Sequence, residues 1–353
     1  MHHIKTGKLR KHMSAMMAVI MAVSLAVPAG MSFSARTVSA ADKTVEAKAG
    51  ETIYNLRDGS IIATDTDGKK DVTYDRLTVK VGTKNAYKYN GATLVTESLF
   101  SVKYAISNRI LTESPLRTYY TGDDGEFIYK NTYTLPIGYM TYNDPYGWEG
   151  SEAIGSGIDN QNSLIKNLTG ISNVFTLTYE NSTDTGFEVK PVKAGHLYMI
   201  TKNTACDTVT VTIHGSEYTY KDLKKGGTII DLGYATPEDV IVVSADTSMN
   251  ASVYTLETSR FKEAFNILNN NSLNVSEFTN NKIKGTVNAD KDATLICSIP
   301  YDKGWSVYID GKKVETNDIY GAFISVHVPA GEHNITLKYT PVNLISGCII
   351  TPL

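Results

Sequence analysis

The sequence predicts a mostly β fold, with two sandwich-like β units and a few short helices behind an N-terminal export signal. Three observations carry that expectation. Tyrosine is frequent, 22 against 9 phenylalanines, and threonine, valine and asparagine recur throughout, a composition that suits half-buried pleated surfaces. Short apolar and polar alternations are punctuated by turn residues about every ten positions, the rhythm of a sandwich. In LICSIPYDKGWSVYIDGKKV, residues 295–314, apolar residues run to Ile299 and break at Pro300 and Gly304. Alternation resumes through Val307 and Ile309, and Asp310-Gly311 supplies a two-residue turn before Val314, so the stretch reads as antiparallel structure.

Residues 1–40 stand apart from the fold. Lys5, Lys8, Arg10 and Lys11 precede the apolar run Ala15–Val27, and Val38-Ser39-Ala40 offers the small-residue site of a cleaved export signal, which predicts a mature start near Ala41. The competing reading is an uncleaved anchor through residues 13–35, since no charge occurs between His12 and Arg36 and about 20 apolar residues span a bilayer. Pro28, Gly30, Ser24, Ser32 and Ser34 weigh against it. Either way the remainder lies outside the cytoplasm, because basic flanks stay inside. Removing Lys5, Lys8, Arg10, Lys11 and Arg36 from the 34 basic residues leaves 29 against 37 acidic ones, a net charge of −8. That argues against nucleic acid, which needs a basic face, and against electrostatic capture of an anionic polymer.

Segment 42–92 reads as a small β-rich unit, with Ile61-Ile62-Ala63 and Leu77–Val81 as strands and Asp58-Gly59, Asp67-Gly68 and Asn90-Gly91 as turns. Asp65-Thr-Asp67-Gly68-Lys-Lys-Asp71 invites a calcium reading, but the twelve-residue calcium loop needs glycine sixth and glutamate twelfth, and neither falls in register. A plain turn fits better. The next unit, 93–258, opens with a helix or strand at Leu99–Ile106 and strands near Phe127–Tyr129 and Ile137–Tyr142. Asp123 and Asp124 adjoin one another in the Gly122–Gly125 turn, whereas an acid and a base must converge on a substrate from opposite sides. They read as solvated turn residues.

A short helix is predicted over 160–170, capped by Asn160, with Leu164, Ile165 and Leu168 on one face and Gly170 as its stop. Strands are then expected at Val174–Tyr179, Phe187–Pro191, His196–Ile200, Thr208–Ile213, Thr228–Leu232 and Val240–Ser244. His196 and His214 have no Ser, Cys or His at a recognisable spacing and read as structural. The third unit, 259–347, opens with a helix at Ser259–Asn270, where Phe261, Ala264, Phe265 and Leu268 form one apolar face, and continues as a C-terminal sandwich-like domain. Cys206, Cys297 and Cys348 are an odd set without CxxC spacing, which supports neither a metal site nor a disulfide framework. Asp302-Lys303-Gly304-Trp305 is the one cluster singled out for glycan contact, because an indole face can stack on a sugar ring. Its rival reading is a Trp305 that plugs the sandwich while Asp302 and Lys303 decorate a turn.

The words SIPYDKGWSVYIDGKKV (298–314) and GAFISVHVPAGEHNITLKYTP (321–341) resemble the extracytoplasmic C-terminal part of the YfhO-type bacterial membrane protein family. SLFSVKYAIS (98–107), YKNTYTLPIGYM (129–140) and NQNSLIKNLTGISNVF (160–175) extend the resemblance to about 93–347. It implies a polytopic protein similar to lipid-linked-sugar glycosyltransferases, which adds sugars to surface polymers such as lipoteichoic acid. The acidic residues that such enzymes carry after their first membrane helix have no counterpart here, where residues 1–92 take that place. No catalytic residue, cofactor or metal is therefore expected. The apolar tail 342–353, VNLISGCIITPL, stands where the resemblance implies a final membrane helix, so the chain is expected to be cut short. The function expected is an exported, non-catalytic surface domain accessory to polymer glycosylation. Its partner would be a membrane glycosyltransferase or a cell-surface glycan, with membrane association through residues 13–35 or a lost C-terminal helix. Two alternatives stand beside it, a separated subunit of a working glycosyltransferase system and an adhesive, glycan-binding wall module.

Overall fold

The computed structural model describes residues 92–341 except 108–113, 122–126, 184, 203–204, 222, 225 and 280. It also gives the backbone of short strands at Thr37–Ala40, Lys43–Glu46, Thr52–Asn55, Val79–Val81 and Asn85–Tyr87. The apolar run Ala15–Val27, the Asp65–Asp71 stretch, Asp123, Asp124, Cys348 and the tail 342–353 fall outside the described residues. The structure is mostly β, with several antiparallel sheets and three helices among the described residues, as the sequence predicts.

Alternation builds the middle of the chain. Val209–Ile213 buries Val209, Val211 and Ile213 and half-exposes the threonines between them, the pattern of a strand with one wet face. Eight strands run from Phe175 to Leu256. Counted in chain order, they form two sheets with orders 1-8-3-6 and 2-7-4-5, which is a jelly roll. Leu197, Met199, Val211, Ile230, Val243 and Val253 fill the space between the sheets. Two of its strands escape the sequence reading. Ser216–Tyr220 is an edge strand with mostly exposed side chains, and Met249–Leu256 is buried on both faces, so neither alternates cleanly.

The C-terminal sandwich packs a five-stranded sheet, from Asn274–Thr279 to Lys312–Val314, against a four-stranded one. In the second sheet Ala293–Pro300 lies between Phe323–Val328 and Gly138–Thr141. One strand of this sandwich thus comes from before the jelly roll. Asp310 (φ 49°) and Gly311 (φ 79°) both take left-handed backbone between Ile309 and Lys312, which the two-residue hairpin demands.

Three helices occupy the seam between the sandwiches: α1 (Leu94–Leu99), α2 (Gly157–Thr169) and α3 (Thr258–Asn269). Leu94, Leu99, Ile158, Leu168, Phe261 and Leu268 pack there against Tyr198 and Leu256 of the jelly roll and Ile296 and Phe323 of the C-terminal sandwich. The start of α1 is closed by a capping box, in which Thr93 and Thr96 each accept a backbone N–H of the other. Leu99–Ile106, left open between helix and strand, divides into the end of α1 and the strand Val102–Ser107, with Ser101 at φ 59° between them. The capping expectation for α2 is corrected at Asn160. The helix begins earlier, with Ser156 as N-cap, and the Asn160 side chain instead binds the backbone of Ser151. Gly170 ends α2 at φ 80°, as expected of a C-terminal glycine.

Candidate functional site

Three places hold polar chemistry, and the deepest is a buried ionic cluster. Every residue of the short helix α1 is buried, so Glu97 has no route to water. A carboxylate there requires a partner. Arg117, at the start of the strand Arg117–Thr121, supplies it, with Nη2 at 2.6 Å from Glu97 Oε1 and Nη1 at 2.8 Å from Asp231 Oδ2. Asp231 also accepts from Gly233 N (2.8 Å) and stands 2.7 Å from His196 Nε2. Its Gly233 contact fixes the register shift opposite Leu197 and Tyr198. His196 stacks on Tyr198 at 4.9 Å between ring centroids, and the Tyr198 hydroxyl accepts from Leu94 N at 3.0 Å.

Burial first, and the nearby Asp231 charge second, hold the Tyr198 phenol well above its ordinary pKa. The His–Asp pair therefore sits beside a protonated, engaged hydroxyl, and His196 is 1% exposed. Such a cluster ties α1 and the strand Arg117–Thr121 to the jelly roll. His214 is also occupied, 3.0 Å from Asp239 Oδ1, and heads a hairpin turn with Gly215 (φ 50° and 72°). Cys206 and Cys297 are both free and lie in different cores. Burial pushes their thiols up to about 11 and about 12 respectively, so both stay protonated and unreactive at neutral pH.

The residues singled out from sequence for glycan contact split between surface and core. Asp302 and Lys303 sit on an exposed turn, where Asp302 Oδ1 accepts from Gly304 N at 2.7 Å. Gly304 is tightly enclosed, since an added Cβ would meet Thr340 O at 2.6 Å. The turn aims Trp305 inward. It is 5% exposed, packs among the apolar residues of the C-terminal sandwich and lies 5.2 Å from the Tyr339 ring. A buried indole has no free face for a sugar.

A different aromatic group does reach the surface. The loop Tyr142-Asn-Asp-Pro-Tyr-Gly-Trp-Glu-Gly150 lies along α2, which offers it Asn160, Ser163 and Asn167 at helical spacing. Trp148 Nε1 donates to Ser163 Oγ at 2.9 Å, Asn167 Nδ2 donates to Asp144 O at 3.0 Å, and Asn143 Nδ2 donates to Asn167 O at 3.2 Å. Tyr146 is 48% exposed, yet its hydroxyl shares a 3.1 Å hydrogen bond with the buried Ser325. The Trp148 ring meets Tyr320 edge to face at 5.1 Å. Tyr320 itself takes φ 59°, a conformation that costs a bulky side chain about 1–2 kcal/mol. Burial, reinforced by the charge of Asp144, holds its phenol far above the ordinary value. Sequence reasoning passed over this loop, because the residues that organise it come from α2 and from position 320. The signal available was a run of three aromatics among Asn, Asp, Glu and Gly, followed by a polar stripe at 160, 163 and 167.

Among the described residues no group of three or more His, Cys, Asp or Glu could hold a metal ion. Among the described residues no helix is long and apolar enough to cross a membrane. The profile of the family described as "Bacterial membrane protein YfhO" matches residues 66–351. The chain belongs to the YfhO family. Membership agrees with the resemblance read from residues 98–107, 129–140, 160–175, 298–314 and 321–341. No curated protein matches the YfhO-family chain significantly. Solved structures of the arabinofuranosyltransferase AftD from Mycobacteria are similar at a TM-score of 0.18. One is 12% identical over 40% of this chain, and that of the R1389S mutant, class 2, is 13% identical over 40%. This chain spans 12% of the length of either, and a likeness this slight carries no argument.

Proposed function

We propose that this YfhO-family chain is an exported, non-catalytic surface domain that meets glycan beside a membrane-embedded sugar-transfer machinery, accessory to glycosylation of a cell-surface polymer. The observation that supports the reading is family membership across 66–351, a stretch in which the described residues build two β-sandwiches and a helical seam. Sugar transfer from a lipid-linked donor needs a base that reaches the acceptor hydroxyl at an open site. His196 is buried and engaged by Asp231, and the exposed loop along α2 carries aromatics and acceptors of the kind that bind sugars.

The test uses the full chain. Purified protein is incubated with lipid-linked sugars and a surface-polymer acceptor, and separately passed over immobilised cell-surface glycan. Retention without turnover is expected. Turnover that disappears when a single Asp or Glu is replaced would overturn the reading.

A further inference from the structure

We infer that the loop 142–150, with Tyr146 and Trp148 as stacking surfaces and Tyr320 behind them, is a binding site for a neutral pyranoside. The inference deepens the proposed function and rests on it.

The first argument is preorganisation. An aromatic side chain that binds a sugar must show an apolar face while its polar end is satisfied elsewhere. Tyr146 and Trp148 meet that condition two residues apart, since the Tyr146 hydroxyl is tied to Ser325 and the Trp148 indole N–H to Ser163. Tyr320 supports Trp148 from behind. Rings held this way lose little further freedom when a ligand arrives. The half-exposed Tyr146 ring and the left-handed backbone at Tyr320 are both unfavourable for a fold that had only to bury its surface.

The second argument is the sign of the polar rim. Asp144 spends one carboxylate oxygen on Tyr146 N at 3.0 Å, and its other oxygen makes no bond among the described residues. Glu149 is exposed and makes none. Asn143 gives its amide N–H to Asn167 O and keeps its carbonyl oxygen. No Lys or Arg occurs in the loop itself, from 142 to 150. The rim thus offers acceptors and negative charge. It suits a ligand rich in hydroxyl donors, and it repels phosphate polymers and anionic lipid surfaces alike.

The experiment titrates the full chain with methyl glycosides of neutral hexopyranoses and of N-acetylhexosamines, and with poly(glycerol phosphate). Thermal unfolding of every variant accompanies the titrations. Wild-type protein should bind at least one neutral glycoside with little dependence on salt and should ignore the phosphate polymer. Tyr146→Ala and Glu149→Lys should each weaken binding at least tenfold, Glu149→Lys with an unchanged melting temperature and Tyr146→Ala with at most a small fall from the lost Ser325 hydrogen bond, which separates lost binding from lost folding. Trp148→Phe should retain part of the affinity that Trp148→Ala loses. Unchanged glycoside binding by Tyr146→Ala and Trp148→Ala would overturn the site and leave the glycan-facing role standing. A wild-type chain that binds none of the glycosides, or that prefers the phosphate polymer or a protein partner through this loop, would overturn the inference; failure to retain cell-surface glycan at all would remove the broader role as well.

Discussion

Trp305 and Trp148 are the two tryptophans of the chain, and the fold treats them in opposite ways. Trp305 begins a strand of the C-terminal sandwich and turns its whole ring into the core, where its Nε1 has no hydrogen-bond partner among the described residues. Trp148 stands on a loop with its Nε1 satisfied by Ser163 and its ring part-exposed against Tyr320. A core position rewards area and tolerates an orphaned N–H when enough apolar surface is removed from water. A rim position with a satisfied N–H keeps the ring oriented while leaving apolar area for something else to cover. Neighbouring residue types do not separate the two: Trp305 follows Asp, Lys and Gly, whereas Trp148 follows Tyr and Gly and precedes Glu and Gly. What separates them is which strand or helix arrives from far along the chain.

The largest effect should come from emptying the core. Trp305→Ala is expected to cost about 3–5 kcal/mol, the usual range for a truncated buried aromatic, read as a fall in the denaturant midpoint. A loss below about 1 kcal/mol would mean that the ring is not a core residue. The buried charges should come next. Arg117→Met leaves Glu97 and Asp231 without their shared cation and is expected to cost about 3 kcal/mol. Replacing Glu97, Arg117 and Asp231 together by apolar residues of similar volume should recover part of that loss, because the charges then leave as a set. Failure of the triple variant to recover stability would show that the cluster does more than pair charges.

A smaller effect belongs to the half-buried His333 and the exposed Asp310, 2.7 Å apart. The hydrogen bond to Asp310, opposed by desolvation, raises the His333 pKa above its ordinary 6.5. The same bond, followed by that from Asn334 N, lowers Asp310 below its ordinary 3.8. A raised histidine contributes stability that is complete below 6.5 and lost as pH rises through the folded value. A lowered aspartate contributes stability that is present above 3.8 and lost as pH falls through its folded value. The pair therefore stabilises most between pH 3.8 and 6.5. Melting temperatures of wild type and Asp310→Asn should differ most in that window, by a modest amount given the exposure of Asp310, and the difference should shrink above it to the part that the Asn334 N–H bond supplies. A loss of only about 1 kcal/mol is expected for Tyr146→Ala, which gives up the hydrogen bond to the buried Ser325 and little packing. Thermal unfolding measures it, and a large drop would move Tyr146 from the rim into the structural frame.

Much of the fold was legible because its strands are short and one-sided. Phe187, Val189, Val209, Val211 and Ile213 alternate with polar residues, and Asp310-Gly311 names its own hairpin. Illegible were Met249–Leu256, buried on both faces, and mostly exposed Ser216–Tyr220, although Gly195–Thr201, buried at every position, was legible from its apolar run. Equally illegible was the pairing of Gly138–Thr141 with Ala293–Pro300, which nothing local encodes. The ionic cluster was hidden for the same reason, since Glu97, Arg117, His196 and Asp231 come from four separate elements. At the candidate site, sequence drew attention to the tryptophan beside a recognisable turn. The other one depends on Ser163 and Tyr320, which no spacing rule connects to position 148.

Single-tryptophan fluorescence of the full chain tests most directly the claim that the rim tryptophan, and not the core one, meets glycan. Trp305→Phe leaves Trp148 as the reporter, and Trp148→Phe leaves Trp305. The account predicts that acrylamide quenches Trp148 and that a bound neutral glycoside protects it, while Trp305 resists quenching and ignores the sugar. Protection of Trp305 by the glycoside, or a Trp148 whose quenching is unchanged by a glycoside that the protein demonstrably binds, would contradict it.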